Sequence, residues 1–163
     1  MKKQSQAAMI AALYVVLTFI ANSFGLANYA IQVRFSEALT ILPYFTPAAI
    51  PGLVIGCLLA NILTGCALPD IIFGSLATLI GALGTYALRK WKWCAPIPPI
   101  LANAIIVPFV LIYGYGLLIE GVSVAYCYTY YFLTVGAGEV ISCGILGMIL
   151  MFALEKNRKN IFA

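Results

Sequence analysis

Four acidic side chains lie in or beside apolar tracts of this chain of 163 residues, namely Glu37, Asp70, Glu120 and Glu139. Histidine is absent, and the five cysteines have no CxxC spacing, which excludes a Ser-His pair and the usual zinc sites. The acids are far apart in sequence and form no DxxD pattern, so we expect no metal site. No G-x-x-x-x-G-K-[ST] motif occurs, so nucleotide hydrolysis by this chain is not expected either. The residues indicate binding and permeation, and we expect no enzyme.

Glu139 is the acid most deeply placed in an apolar tract. Counted from the predicted start of its helix, it lies about eight residues, or roughly 12 Å, inside. A carboxyl group at that depth is costly unless it faces the bundle interior with a partner or is protonated. Tyr131 and Cys143 share its helical face by spacing. We predict a ligand-binding role for Glu139; the alternatives are an internal pair with Arg34 or a neutral, hydrogen-bonded acid.

Three further polar residues are candidates, each with a structural alternative. Arg34 and Glu37 are three residues apart, so they either pair on one helical turn or reach a polar ligand. Asp70 follows a proline at a helix start, where it either caps the helix or accepts hydrogen bonds from a bound molecule. Asn103 is somewhat better explained by a hydrogen bond between helices than by ligand contact.

Two aromatic residues flank Arg34 in the first loop. Tyr29 and Phe35 are suited either to stacking on a flat ring or to anchoring the loop at the membrane interface. Both interpretations remain open from the residues alone.

The composition determines the class of element that holds these residues. Hydrophobic residues make up 64% of the chain and charged residues 9%, which excludes a soluble enzyme, a disordered tail and a nucleic-acid binder. Because charges are costly in hydrocarbon, they separate the spans. We predict an all-α integral membrane protein, one domain over residues 1–163, with six transmembrane helices. The predicted spans are 7–26, 36–44, 52–65, 71–88, 100–118 and 132–154.

The distribution of the basic residues along the chain tests the count of six spans. With six spans, eight of nine basic residues fall on one side and only Arg34 on the other, as the positive-inside rule requires. Five spans would place Arg89 and Lys92 outside. Both termini are therefore expected in the cytoplasm. The first span could also be a signal peptide, but its removal would break this charge pattern.

Small residues four apart recur on the first span. Ala8 and Ala12 form one pair, and Ala7 and Ala11 form another. Such strips allow another helix to approach closely. On pattern alone, a helix of the same chain is about twice as favoured as an external partner.

Three motifs resemble those of the QueT family. They are the run IQVRFSEAL at 31–39, the Pro-x-x-x-Pro-x-x-x-Pro-Gly turn that ends at Gly52, and the segment from Asp70 to Thr78. The resemblance covers nearly the whole chain. Members of the family are substrate-binding S-components of energy-coupling factor (ECF) transporters in bacteria, so it implies a six-helix S-component in the bacterial cell membrane.

The resemblance also implies a ligand and partners. The ligand would be a queuosine precursor, a 7-deazaguanine base, captured at the outer side. The partners would be a transmembrane coupling subunit, which docks on Ala8 and Ala12, and two cytoplasmic ATPases. ATP would be used by those ATPases, and this chain would bind no cofactor.

By region, the resemblance places the ligand near the first loop, the fourth helix start and the outer parts of the last two helices. The substrate-binding residues expected there are Arg34, Glu37, Asp70, Glu139, Tyr131, Tyr29, Phe35 and Asn103, with Tyr113 in the same region. A carboxylate accepts from the ring N–H and exocyclic amine of such a base, whereas a basic substituent calls for a second acid.

Other functions remain open from the sequence. One is an S-component for another small heterocycle, and a second is a homo-oligomeric channel whose acids line a pore. A scaffold without a ligand is disfavoured by the membrane-embedded Glu139.

Overall fold

The structure of this chain is a computed structural model that describes residues 3–25 and 33–156. All regular secondary structure in these ranges is helical. The α-helices are α1 (Lys3–Ser23), α2 (Ala49–Leu63), α3 (Leu68–Ala87), α4 (Ile97–Phe109), α5 (Val124–Glu139) and α6 (Gly147–Lys156). Two 3-10 helices (Phe35–Tyr44 and Lys92–Cys94) and two π segments (Val110–Gly114 and Val140–Leu146) complete the list.

Four helical stretches are long and apolar enough to cross a membrane. They are Lys3–Ser23, Leu68–Ala87, Lys92–Gly114 and Val124–Lys156. α2 is apolar but has 15 residues, roughly 22 Å, so it is shorter than the hydrocarbon core of about 30 Å. Large apolar side chains cover the outer surface; Val16 and Leu133, for example, are 53% and 63% exposed. That surface suits lipid and would be unfavourable in water.

The first of the two 3-10 helices, Phe35–Tyr44, lies in the centre of the bundle. Its residues from Ser36 to Pro43 are all buried, and it contacts α1, α3, α6 and the second π segment. At about 2.0 Å per residue it is roughly 20 Å long, against roughly 15 Å for an α-helix of ten residues. A helix thus occupies nearly the limits of the predicted second span, but it is not among the four stretches long enough to cross a membrane.

The last span differs most from its prediction. It begins at Val124 rather than at residue 132, and the backbone remains helical through the second π segment to Lys156. Ser123 starts it, because its hydroxyl accepts a hydrogen bond from the Tyr126 N–H at 3.3 Å. Glu139 therefore lies 15 residues from the helix start, roughly 22 Å, and the depth of about 12 Å was wrong.

α1 and α2 are in close contact through small residues. A Cβ on Gly52 would lie 2.7 Å from the Ala7 carbonyl oxygen, and one on Gly56 would lie 3.1 Å from the Ala11 Cα. The strip formed by Ala7 and Ala11 is therefore used inside the chain. Ala8 and Ala12 are exposed on α1.

The two ends of the bundle differ in charge. Among the described residues, one end holds Lys3, Arg89, Lys90, Lys92 and Lys156; we call it the basic end. Lys92 forms an ion pair there with Glu155. The opposite end, called the cleft end, includes Ser23, Leu63 and Arg34, the only basic residue described there. Lys2, Arg158 and Lys159 lie outside the described residues.

Candidate functional site

A partly open cleft of about 230 Å³ lies at the cleft end between α1, α2, α3 and α4. Its size is below the usual range for drug-sized ligands, roughly 300–1,000 Å³, and suits a small ring compound. The lining combines polar groups with a few apolar side chains. The residues are Thr18, Asn22, Arg34, Asn61, Thr64, Cys66, Asp70, Val107, Leu111, Tyr115 and Leu117.

Asp70 provides the carboxylate of the cleft. It is buried, with 6% of its surface exposed, in the first turn of α3. Its Oδ2 accepts a hydrogen bond from the Tyr115 hydroxyl at 3.0 Å and lies 3.9 Å from the Arg34 guanidinium. The N-cap residue of α3 is Ala67, so the interpretation of Asp70 as the helix cap was wrong. Its side chain is directed to the cleft instead.

Tyr115 was missed by the sequence reasoning. Its hydroxyl accepts a hydrogen bond from the Ala67 N–H at 3.1 Å and donates to Asp70, which connects the end of the α4 span to the start of α3. Partial burial and the nearby Asp70 charge raise the pKa of Tyr115 to about 12. It therefore stays a neutral donor at physiological pH. Tyr113, selected by region, is 72% exposed and stacks on Phe109 away from the cleft.

Arg34 and Asn61 make the other polar contacts of Asp70. Arg34 pairs with Asp70, so the alternative of an ion pair with Glu37 was wrong. The Asn61 amide donates to the Asp70 carbonyl oxygen at 3.3 Å and thereby joins α2 to α3. Phe35 is half-buried at the start of the 3-10 helix. Tyr29 lies outside the described residues.

A second polar cluster is buried deeper in the bundle. Glu37, Glu139 and Cys143 each present a ligand-type atom within 4.8 Å of the others. The Tyr14 hydroxyl donates to Glu37, and the Cys143 thiol lies 3.1 Å from Glu139 Oε2. Folding thus brings together two acids that are far apart in sequence, which their spacing alone did not indicate.

Asn103 borders this cluster. The Asn103 amide approaches both carboxyl groups, yet its Nδ2 forms no hydrogen bond of ordinary geometry. Ser142 Oγ and Glu37 Oε2 are also buried without a hydrogen-bond partner. Tyr131 is half-buried and packs edge-on against Tyr130 at 5.4 Å. The cleft lining does not include four of the predicted substrate-binding residues, namely Glu37, Asn103, Tyr131 and Glu139.

One hydrogen-bonded layer separates the cleft from the buried acids. Thr18 lines the cleft, and its Oγ1 lies 2.8 Å from the Tyr14 carbonyl oxygen and 2.9 Å from Ser36 Oγ. Tyr14 donates a hydrogen bond to Glu37, and Ser36 directly precedes Glu37 in the sequence. The two polar sites are thus stacked along the bundle axis.

A helical bundle with a lipid-compatible surface and a small polar cleft at one end is typical of a multi-pass membrane protein. Residues 5–156 match the sequence profile described as QueT transporter. The chain therefore belongs to the QueT transporter family.

The chain is also similar to the queuosine precursor transporter QueT of Lactococcus lactis subsp. cremoris (strain MG1363). The two are 37% identical over 86 residues, which is 52% of this chain and 50% of the relative. The match thus spans about half the length of this relative. No solved structure matches the chain.

Proposed function

We propose that this chain is the S-component of an ECF importer and that it binds a queuosine precursor in the cleft. The observation that carries the proposal is the grouping of Asp70, Arg34 and Tyr115 at one end of a bundle with few charges. The name of the Lactococcus relative and the family match support the choice of a queuosine precursor.

The chemistry of the cleft suits a 7-deazaguanine base. Its ring N–H and exocyclic amine are adjacent donors, which one carboxylate accepts together, and Asp70 supplies that carboxylate. Its carbonyl oxygen accepts from a cationic donor, and the Arg34 guanidinium supplies such a donor. Val107 and Leu111 provide apolar contacts for the ring faces.

The orientation and partners form part of the proposal. With the basic end in the cytoplasm, as the positive-inside rule favours, the cleft opens to the extracellular side. The exposed Ala8 and Ala12 then offer a flat strip on α1 for the transmembrane coupling subunit. Two partner ATPases supply the energy from ATP, and this chain binds no cofactor of its own.

The first test identifies the ligand and the site together. Mass spectrometry of the small molecule that co-purifies with the chain should detect a deazaguanine. Titration of the purified protein should show that Asp70→Asn weakens binding at least about tenfold, or about 1.4 kcal/mol. Glu120→Gln changes an exposed acid outside the cleft and should leave affinity unchanged. Equal affinity of wild type and Asp70→Asn contradicts the proposed site.

A further inference from the structure

Gly74 is buried in α3, four residues after Asp70. A Cβ at this position would lie 3.2 Å from Asp70 Oδ1 and 3.2 Å from Asn61 Nδ2. Apart from its chain neighbours and the backbone of its own helix, these are the described atoms that such a Cβ would meet within 4 Å. Both contacts are tighter than ordinary van der Waals contact, so the two side chains would have to move. The space beside Gly74 is therefore used by two polar side chains of the cleft.

Other glycines of the bundle serve close packing of the backbone. A Cβ on Gly52 would lie 2.7 Å from the Ala7 carbonyl oxygen, and one on Gly81 would lie 2.7 Å from the Pro99 Cα. Such positions require glycine because two segments of backbone approach each other. At Gly74 the described atoms that a Cβ would meet on other residues belong to side chains. Helix packing therefore does not explain glycine at this position.

The geometry of an α-helix explains why this glycine affects Asp70. Each Cα–Cβ bond tilts toward the N-terminus of its helix, so a side chain on residue 74 would be directed at the turn that carries residue 70. The hydrogen bond of the Asp70 carboxylate to Tyr115 and its ion pair with Arg34 both involve Oδ2. Oδ1, the oxygen next to Gly74, is thus left for a donor of the ligand.

Asn61 contacts the same turn of α3 from α2. It is 2% exposed and lines the cleft, and its Nδ2 donates to the Asp70 carbonyl oxygen at 3.3 Å. In an α-helix this carbonyl oxygen also accepts from the backbone N–H of residue 74, so the amide has to approach it from the side of the helix. The missing side chain of Gly74 leaves room for that approach.

We propose that Gly74 and Asn61 are positioning residues of the binding site, and that together they set the orientation of the Asp70 carboxylate. The inference rests on the proposed function, in which one carboxylate accepts from two adjacent donors of the base. Two parallel hydrogen bonds of this kind depend on the plane of the carboxylate as well as on its position. Gly74 does not line the cleft, so its effect on the ligand passes through Asp70 and Asn61.

Alanine at position 74 tests the proposal. Titration of purified Gly74→Ala with 7-aminomethyl-7-deazaguanine should show an affinity about fivefold lower than that of the wild type, the effect of losing one hydrogen bond of typical strength. Gly136→Ala is the matched control, because its Cβ would meet only the Ala104 Cβ, at 3.7 Å, and it does not line the cleft. Both variants replace a helical glycine with alanine, so they share the gain in helix propensity. Gly136→Ala should bind the base as the wild type does.

An Asp70→Ala background separates positioning from a general structural effect. In that background a methyl group on residue 74 no longer meets a carboxylate, so Gly74→Ala should cause no further loss of affinity. Asn61→Ser removes the amide donor. It should lower the affinity of the wild type about fivefold and should likewise have no further effect in Asp70→Ala. Losses of equal size in the two backgrounds overturn the proposal.

The remaining outcomes separate this inference from the proposed function. Wild-type affinity in Gly74→Ala overturns the inference and leaves the proposed function intact. Equal losses in Gly74→Ala and Gly136→Ala also overturn it, and this comparison decides if a double variant does not fold. If the wild type does not bind the base, or if Asp70→Ala binds it as tightly as the wild type, the proposed function fails, and the inference with it.

Discussion

The hydroxyl of Tyr115 holds the Asp70 carboxylate in the cleft through one hydrogen bond of 3.0 Å. Tyr115→Phe should therefore weaken ligand binding by about 2-fold to 13-fold, the equivalent of one hydrogen bond of about 0.5–1.5 kcal/mol. Tyr113→Phe is the matched control, because its ring lies outside the cleft lining. Titration of the three purified proteins measures the effect, and a loss in Tyr113→Phe alone would contradict the assignment.

The same hydroxyl determines a pH dependence. With its pKa at about 12, Tyr115 is a neutral donor below that pH and would lose the donor above it. Between about pH 6 and pH 9 this group should therefore not change the affinity of the wild type. Wild type and Tyr115→Phe should show parallel affinity profiles over this range. A fall in wild-type affinity near pH 9 that Tyr115→Phe lacks would contradict this.

For individual residues, the sequence indicates which side chains are unusual for their surroundings better than it indicates which side chains contact each other. The sequence identified Asp70 and Glu139 as candidates because a charged residue in an apolar tract is costly and usually has a function. The sequence did not predict the pairings of Arg34 with Asp70 and of Glu37 with Glu139, because each joins elements whose packing is defined only in the folded chain. Tyr115 carried no local signal that separated it from Tyr113.

Helical elements followed from charge and proline placement to within a few residues, except at the last span. There the predicted span begins at residue 132, but α5 begins at Val124 and includes the tyrosine-rich stretch before that residue. The 3-10 form of Phe35–Tyr44 and the π segment that follows Glu139 were also not predictable. Such departures from α geometry depend on tertiary packing and often mark functional sites.

The contact between α1 and α2 leads to a prediction about stability. Gly52→Ala places a Cβ 2.7 Å from the Ala7 carbonyl oxygen, so the two backbones must separate, at a cost of about 1–3 kcal/mol. Gly136→Ala is the matched control, because its Cβ would meet only the Ala104 Cβ at 3.7 Å. Thermal unfolding in detergent should show a lower midpoint for Gly52→Ala than for Gly136→Ala. The opposite order would refute the tight contact.

The exposed strip on α1 leads to a prediction about coupling. Leucine at both Ala8 and Ala12 should leave ligand affinity unchanged, since neither residue is near the cleft, and should abolish uptake by blocking close helix approach. Ala137→Leu, at an exposed alanine of α5, should leave uptake intact. The measurements are titration of the purified protein and ligand accumulation in cells. Normal uptake by the double variant would exclude this strip as the docking site.

The basic residues are distributed unevenly between the two ends of the molecule. The basic end holds five of the six basic residues described, whereas the cleft end holds Arg34, whose charge is balanced by Asp70. Composition alone predicts a membrane protein. Once the number of spans is set, the positive-inside rule predicts which end of the bundle faces the cytoplasm. The fold adds that the cleft lies at the end opposite five of the six basic residues that the structure describes, which is the arrangement that the proposed importer requires.

Two native cysteines test this orientation without foreign tags. Cys66 lines the cleft and Cys94 lies at the basic end, both half-buried, whereas Cys57, Cys127 and Cys143 are buried. In intact cells a membrane-impermeant maleimide should label Cys66, and bound ligand should slow the reaction because it fills the same cleft. Cys94 should react only after the membrane is opened. Cys66→Ser and Cys94→Ser assign the signals. Labelling of Cys94 but not Cys66 in intact cells would reverse the orientation, placing the cleft in the cytoplasm, where it cannot capture an external ligand.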